Sequence, residues 1–251
     1  MNNQIEQAIK FFKESKRAVA LTGAGISTPS GIPDFRSPSS GLWNKYDPMV
    51  VASIDGFKRR PEEFYRWIHP LADLILHAEP NPAHMALAEL ETHGPLKAII
   101  TQNIDLLHHR AGSSNVYEVH GHLRQATCLS CGYITGAERM LADFVATAEM
   151  PRCELCGDVL KPNVTLYGEV PPLNVFQAAE GWAATCDLML VAGSSLQVMP
   201  VAELPLLARQ NGSRLIIVDL LETYLDEMAD LVIRGDVAEV LPQLSSSFVP
   251  Q

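Results

Sequence analysis

Apolar and polar positions along this chain alternate between two periods. Ile5, Ala8, Ile9 and Phe12 recur at helical spacing and predict an amphipathic first helix. The continuous apolar run Ala18-Val19-Ala20-Leu21 predicts a buried strand. Residues 61–77 and 82–93 carry helical patterns, and each opens with a proline near its first turn. Residues 97–101 predict a second apolar strand and residues 116–119 a short third. Further strands are predicted over 188–192, 215–218 and 231–233, with helices over 201–209 and 237–244. Strands separated by helices of this length predict an α/β fold, a parallel sheet with helices on both faces.

Two segments break the rhythm. Residues 38–48 are rich in Pro, Ser and Gly and read as a loop. Residues 127–160 hold four of the five cysteines, are too polar to join the sheet, and read as an inserted small module. The length of 251 residues suits one large domain carrying such an insert. The formal net charge of −10 argues against a general nucleic-acid or anionic-membrane binder and is compatible with basic peptide substrates. No stretch approaches the roughly 18–20 apolar residues of a membrane span. The first ten residues are polar, without the apolar core of a signal peptide. A cytoplasmic protein is expected, with its cysteines serving as metal ligands or free thiols.

Cys128-x-x-Cys131 and Cys153-x-x-Cys156 form two pairs that can close a tetrahedral thiolate site around one zinc ion. Gly132 and Gly157 directly follow the pairs, where such turns need permissive backbone. Four cysteine ligands leave no open position, so this zinc is expected to be structural. Cys186 stands alone and reads as a small buried residue.

The other polar motifs gather where predicted strands end, which is where open α/β sheets bind ligands. Gly23, Ala24 and Gly25 follow the first strand as a glycine turn suited to a pyrophosphate. A dinucleotide fingerprint wants a third glycine where Thr28 stands, so a loop rather than a tight helix start is expected next. Gln102, Asn103, Ile104 and Asp105 end the second strand. Their amide and carboxylate groups suit ribose hydroxyls and an amide-bearing ring, or, for Asn103 and Asp105, ordinary helix capping. His120, beside Gly121, ends the short third strand and can serve as a base near neutral pH or as a structural histidine. Gly193, Ser194, Ser195 and Asp219 end two later strands and can contact phosphate or ribose, or make ordinary turns. Val164, Thr165, Leu166, Tyr167, Gly168 and Glu169 form an extended, β-prone segment just after the cysteine module. It reads as an edge that captures a peptide by strand addition, or as a plain core strand.

These motifs occur in one order across nearly the whole chain: GAGISTPSGIPDFR at 23–36, TQNID at 101–105, His120-Gly121, the paired CxxC, YGE at 167–169, GSSLQV at 193–198 and the strand ending at Asp219. In this the chain resembles the sirtuins, NAD-dependent protein-lysine deacylases. The resemblance implies a Rossmann-type large domain, about 1–37, 81–124 and 161–251. It also implies a small domain built from a helical insert, about 38–80, and a zinc module, about 125–160. NAD and an acyl-lysine protein or peptide would enter the cleft between the domains from opposite sides. By similarity, Ala24, Thr28, Asp34, Phe35 and Arg36 line the NAD site in its first loop. Gln102 to Asp105 line the ribose and nicotinamide pocket, with Ile32 beside it. Ser194, Ser195, Asp219 and Val237 hold the adenosine side. His120 matches the catalytic base and Asn103 joins it, while residues 164–169 match the peptide-binding strand. The acyl oxygen would attack C1′ of the nicotinamide ribose as nicotinamide leaves, and the products would be nicotinamide, deacylated lysine and O-acyl-ADP-ribose.

The chain departs from the family pattern at a few points. The family commonly has two phenylalanines where Leu166 and Tyr167 stand, and Thr165 replaces a usual apolar residue. These changes flank the acyl-lysine tunnel. Asp219 stands where asparagine is common, and Leu221 where a small residue often sits. Family members that remove succinyl groups carry a tyrosine and, three residues later, an arginine. Here Tyr65 is followed by Ile68, so acetyl or longer apolar acyl groups are expected and succinyl is not. Mono-ADP-ribosyl transfer from the same NAD site is the alternative activity.

Overall fold

Every residue of the first strand is buried, because helices cover both faces of the sheet it joins. In the computed structural model, which describes residues 2–249, the order begins with α1 (Asn2–Glu14), β1 (Ala18–Thr22), α2 (Pro48–Val51), α3 (Ile54–Arg59), α4 (Pro61–His77) and α5 (Pro82–His93). It continues with β2 (Leu96–Thr101), α6 (Leu107–Arg110), β3 (Val116–Glu118), β4 (Gly121–Cys128), β5 (Ile134–Gly136), α7 (Glu138–Thr147) and β6 (Leu160–Val164). It ends with α8 (Leu173–Thr185), β7 (Leu188–Ala192), α9 (Leu204–Gln210), β8 (Arg214–Asp219), β9 (Leu231–Arg234) and α10 (Val237–Ser245).

Six parallel strands make the large sheet, in the order β3-β2-β1-β7-β8-β9. Side chains alternate along each strand. Ala18 and Ala20 face a cluster with α1, α5 and α10, while Val19 and Leu21 face one with α8 and α9. The strand order reverses between β1 and β7. That switch point opens a crevice beyond the strand ends, and it positions the site.

The cysteine segment stays outside this sheet and builds its own antiparallel one, β5-β4-β6, reaching from Gly121 to Val164. Next to it, α4 buries Phe64, Trp67, Ile68, Leu71 and Ile75 in a third apolar cluster with Phe57, Phe144, Val164 and Leu166. Among the described residues, no helix is long and apolar enough to cross a membrane.

Several elements differ from the sequence reading. The expected helix over 201–209 opens as a 3-10 turn, Val201–Glu203, and turns α-helical at Leu204, with Pro205 in the first turn. Helix α8 shows little apolar periodicity because it packs through small residues, with Ala179 and Ala183 as its buried contacts. The segment 164–169 is not a continuous strand. β6 stops at Val164, and the chain runs on as an extension pinned by isolated bonds: Thr165 N to His120 O (2.8 Å), Tyr167 N to Ala52 O (2.9 Å) and Ile54 N to Tyr167 O (3.0 Å). One side of the extension bonds to His120, just before β4, and the other to Ala52 and to Ile54 at the start of α3, so neither offers a complete free edge.

Candidate active site

A cleft of about 490 Å³ lies between the ends of the large sheet and helix α4. It brings together Gly23, Ala24, Gly25, Thr28, Ile32, Asp34, Phe35 and Arg36 of the first loop with Gln102, Asn103, Ile104, Asp105 and His120. Gly193, Ser194, Ser195, Asp219, Val237 and all six residues from Val164 to Glu169 line the same space. The four cysteines line none of it.

The glycines at the switch point have a sharper reason than a phosphate. A Cβ on Gly23 would meet Gly193 O at 2.9 Å, one on Gly25 would meet Gly193 Cα at 2.9 Å, and one on Gly193 would meet Ile26 N at 2.3 Å. Gly193 also has φ +61, and Gly25 N donates to its carbonyl at 2.9 Å. The loops after β1 and β7 therefore touch backbone to backbone. As Thr28 implied, no α-helix starts here: two 3-10 turns, Ala24–Ile26 and Thr28–Ser30, carry the chain, and Thr28 Oγ1 donates back to Gly25 O at 3.0 Å.

Beyond these turns the loop is held by one carboxylate. Asp34 accepts from Arg36 N (2.8 Å), Ser37 N (2.7 Å) and Ser37 Oγ (2.6 Å). Leu42 N and Trp43 N then bond to Asp34 O and Phe35 O, both at 3.0 Å, folding the loop on itself. The fold brings Trp43 onto Phe35, stacked at 4.9 Å, with Trp67 of α4 stacked behind at 5.6 Å.

His120 can be assigned a tautomer from its partner. Its Nδ1 lies 3.1 Å from Gln102 O. A carbonyl only accepts, so Nδ1 carries the hydrogen and Nε2 is left with its lone pair. Burial holds the imidazole pKa below its ordinary 6.5, opposed by the bond to Gln102 and assisted by the Arg36 charge. His120 is therefore a neutral base at physiological pH.

The carboxamides are fixed in the same way. Asn103 Nδ2 donates to Gly23 O (3.1 Å) and Ser27 Oγ (3.0 Å), which leaves its Oδ1 as the unspent acceptor. Gln102 Nε2 donates to Ser194 Oγ at 2.8 Å and joins the two halves of the crevice. Asp105 is held at both of its oxygens. Its Oδ1 accepts from Leu107 N in the first turn of α6 (3.0 Å), and its Oδ2 accepts from Ser27 Oγ (2.6 Å). Among the described residues, two of the three non-glycine positions with positive φ, Leu106 and Leu196, sit just after Asp105 and Ser195. Strained backbone of this kind gathers at functional sites. At the end of β8, burial raises the pKa of the Asp219 carboxyl, against a hydrogen bond from Leu221 N (2.8 Å).

Sequence reasoning missed Ser27, His84 and the aromatic wall. His84 Nδ1 accepts from Asn81 N (3.4 Å), so its Nε2–H points to Ser27 Oγ (3.5 Å), whose hydroxyl then donates to Asp105. Burial lowers the His84 pKa to about 4, against the pull of Asp105, so the ring is neutral. His84 sits on an apolar helix face, and nothing in its local sequence marks it. Phe64, Trp67, Ile68, Leu71 and Ile75 form the apolar wall of the cleft and were legible only as helix core. Tyr65 turns away from the cleft, its hydroxyl donating to Leu160 O, and Arg66 is on the exposed face paired with Glu63. Helix α4 thus offers the cleft neither a hydroxyl nor a cation at these positions.

The metal centre is separate. The four Sγ atoms lie within 4.8 Å of one another, with Cys128–Cys156 at 3.4 Å and Cys131–Cys153 at 3.6 Å. A zinc tetrahedron with Zn–S near 2.3 Å requires S–S separations of about 3.8 Å, so the donor set fits zinc. The two knuckles repeat each other. Gly132 N bonds to Cys128 O and Gly157 N to Cys153 O, both at 2.9 Å, and the two glycines have φ +75 and +78.

Comparison with known proteins extends this picture. The family described as "Sir2 family" matches residues 23–200. The "NAD-dependent protein deacylase 2" of Archaeoglobus fulgidus is 48% identical over 246 residues, covering 97% of this chain and 96% of its own. A structure solved for the mechanism and regulation of Sir2 enzymes superposes with a TM-score of 0.94 at 46% identity, covering 99% of this chain and 98% of its own. A histidine-to-alanine Sir2 variant, solved with a deacetylated p53 peptide and 3′-O-acetyl-ADP-ribose, gives 0.91 at 41% identity over 97% and 98% of the two chains. Agreement this close, running the length of the chain, leaves one assignment: the protein belongs to the Sir2 family.

Proposed function

We infer that this chain is an NAD-dependent protein-lysine deacylase that moves the acyl group of an acyl-lysine peptide onto ADP-ribose and releases nicotinamide. The observation that carries the reading is His120, a half-buried neutral imidazole whose free Nε2 shares one cleft with the Gln102 and Asn103 carboxamides and with the extension 165–168. A related Sir2 structure holds deacetylated peptide together with acetylated ADP-ribose, the two products such a reaction leaves.

NAD, when bound, supplies a ribose carbon made electrophilic by loss of nicotinamide. The residues that would hold it are those of the first loop, the Asp105 pocket and the Ser194, Ser195 and Asp219 side. The protein's own work is orientation, exclusion of water and one proton. Asn103 Oδ1 would orient a ribose hydroxyl. Phe35, Trp43 and Trp67 cover the reacting region with apolar surface. His120 Nε2 would take the proton of a ribose hydroxyl as that hydroxyl attacks the transferred acyl group. The extension beyond Val164 would align the substrate lysine, and the wall of α4 would receive the acyl chain. With Ile68 rather than a cation on that wall, apolar acyl groups are the expected substrates and succinyl is not. The zinc takes no part in this chemistry, since four thiolates close its coordination. Large and small domains meet at the cleft in this reading, with the division near 38–80 and 125–160.

Purified protein with NAD and a panel of acyl-lysine peptides tests the reading. Nicotinamide should appear only with peptide present, and most with apolar acyl groups. Absence of NAD-dependent acyl loss from every peptide would overturn it.

A further inference from the structure

The two halves of the cleft are tied by a bond that a phenylalanine at position 167 could not make. Arg36 Nη2 donates to Tyr167 Oη at 3.0 Å, from the first loop to the extension that follows β6. One aromatic assembly backs the bond. Trp43, folded onto Phe35 by the loop's own hydrogen bonds, also meets the Tyr167 ring at 6.3 Å and a 60° tilt. The loop needs a glycine to reach this shape: a Cβ on Gly41 would stand 2.7 Å from both Arg36 N and Ser37 N. Tyr167 bonds through its backbone to Ala52 and Ile54, two of the isolated bonds that hold the extension in place of a ladder. The extension is therefore tied to the tip of the loop that carries Phe35 and Arg36. Only part of the guanidinium is spent on Tyr167, and its other donors stay free for an anion.

We propose that the Tyr167 hydroxyl is a positioning group: through Arg36 it couples the loop on the NAD side to the peptide segment, so that NAD and acyl-lysine peptide bind with positive cooperativity. This rests on the deacylase reading above. The physical reason is shared ordering. A ligand that orders either segment orders the other through the bond, and the second ligand then meets a segment whose ordering cost is already met. The coupling is reciprocal.

The test compares wild type with Tyr167→Phe. Calorimetry measures ADP-ribose affinity with and without a saturating acetyl-lysine peptide. In the wild type the peptide should tighten ADP-ribose by about fivefold or more, the lower end of ordinary coupling. In Tyr167→Phe the ratio should fall below about twofold, with both ligands still binding. Hydrogen exchange supplies a second readout that needs no ligand. The Leu42 and Trp43 amides should exchange about fivefold faster in the variant, as a loosened local opening equilibrium requires, while β1 amides stay unchanged. Equal ratios in the two proteins, or unchanged exchange at Leu42 and Trp43, would overturn the coupling and leave the deacylase reading standing. Failure of either ligand to bind the wild type would overturn both.

Discussion

Replacing Lys161 with methionine should damage peptide binding as well as the fold. Lys161 is a buried cation, its side chain 7% exposed, and its ammonium donates to Val164 O (2.8 Å) and Pro162 O (3.3 Å) and pairs with Glu169 Oε2 at 2.9 Å. The same Glu169 oxygen accepts from Leu166 N at 2.8 Å. Together the pair pins both ends of the extension 164–169. Burial nevertheless holds the Lys161 pKa below its ordinary 10.5, because desolvation outweighs what Glu169 returns. A group whose pKa is depressed by folding adds stability only above its unfolded value and loses it as pH falls. At neutral pH the charge is therefore a burden carried for geometry. Lys161→Met removes hydrogen bonds worth about 1.5–3 kcal/mol each when charged, relieves that burden, and leaves Glu169 partly exposed to water. The net loss should be about 1–2 kcal/mol, or roughly 2–8 °C in melting temperature for a chain of this size. The Michaelis constant for peptide should rise about tenfold, equivalent to about 1.4 kcal/mol, as the extension loses its register. The constant for NAD should rise less, by no more than about fivefold, because the change reaches the NAD side only through the Tyr167–Arg36 coupling. A double variant, Lys161→Met with Glu169→Gln, should regain stability but not peptide affinity. Steady-state kinetics with each substrate varied, beside urea unfolding, gives both numbers. A matched rise in both Michaelis constants, or a stability loss with peptide binding intact, would refute the reasoning.

Other expectations follow from the same geometry. Because burial depresses the His120 pKa, the acid limb of kcat/KM should have its midpoint below 6.5, with activity rising as pH climbs through it; a midpoint above 6.5 would contradict the assigned environment. Gly193→Ala puts a Cβ 2.3 Å from Ile26 N at a φ of +61, so the β1 and β7 loops must part. This variant should lose at least about 3 kcal/mol of stability and most ADP-ribose affinity, measured by unfolding and calorimetry. A zinc chelator, or Cys128→Ser, should expose the β5-β4-β6 sheet to proteolysis near residues 128–156 and release one zinc per chain, while the parallel sheet keeps its circular dichroism signal; simultaneous collapse of both would show the two units to be one cooperative block.

The parallel strands were legible because two-sided burial makes each a continuous apolar run, as in 18–22 and 188–192. The cysteine knuckles were legible because thiolate chemistry dictates both spacing and glycine. Antiparallel β4 was not, since its residues 121–128 are half-exposed and carry little apolar signal. His84 and the Ser27 link to Asp105 could not be read either. A buried histidine and a core leucine occupy the same helical face, and only the fold reveals which one meets a carboxylate. Tyr167 was legible as a departure from the family, but its partner lies 131 residues away in sequence. Residues 164–169 were read as a strand because they favour one, and the structure replaces the ladder with isolated bonds to His120, Ala52 and Ile54.

The central claim is that this cleft moves an acyl group from lysine to ADP-ribose. Mass spectrometry of a single-turnover reaction with NAD and an acetyl-lysine peptide tests it most directly, in the wild type and in His120→Ala. The wild type should yield equal amounts of nicotinamide, deacetylated peptide and O-acetyl-ADP-ribose, and His120→Ala should bind NAD but form little of the acetylated product. A peptide that keeps its acetyl group and gains the mass of ADP-ribose would contradict the account.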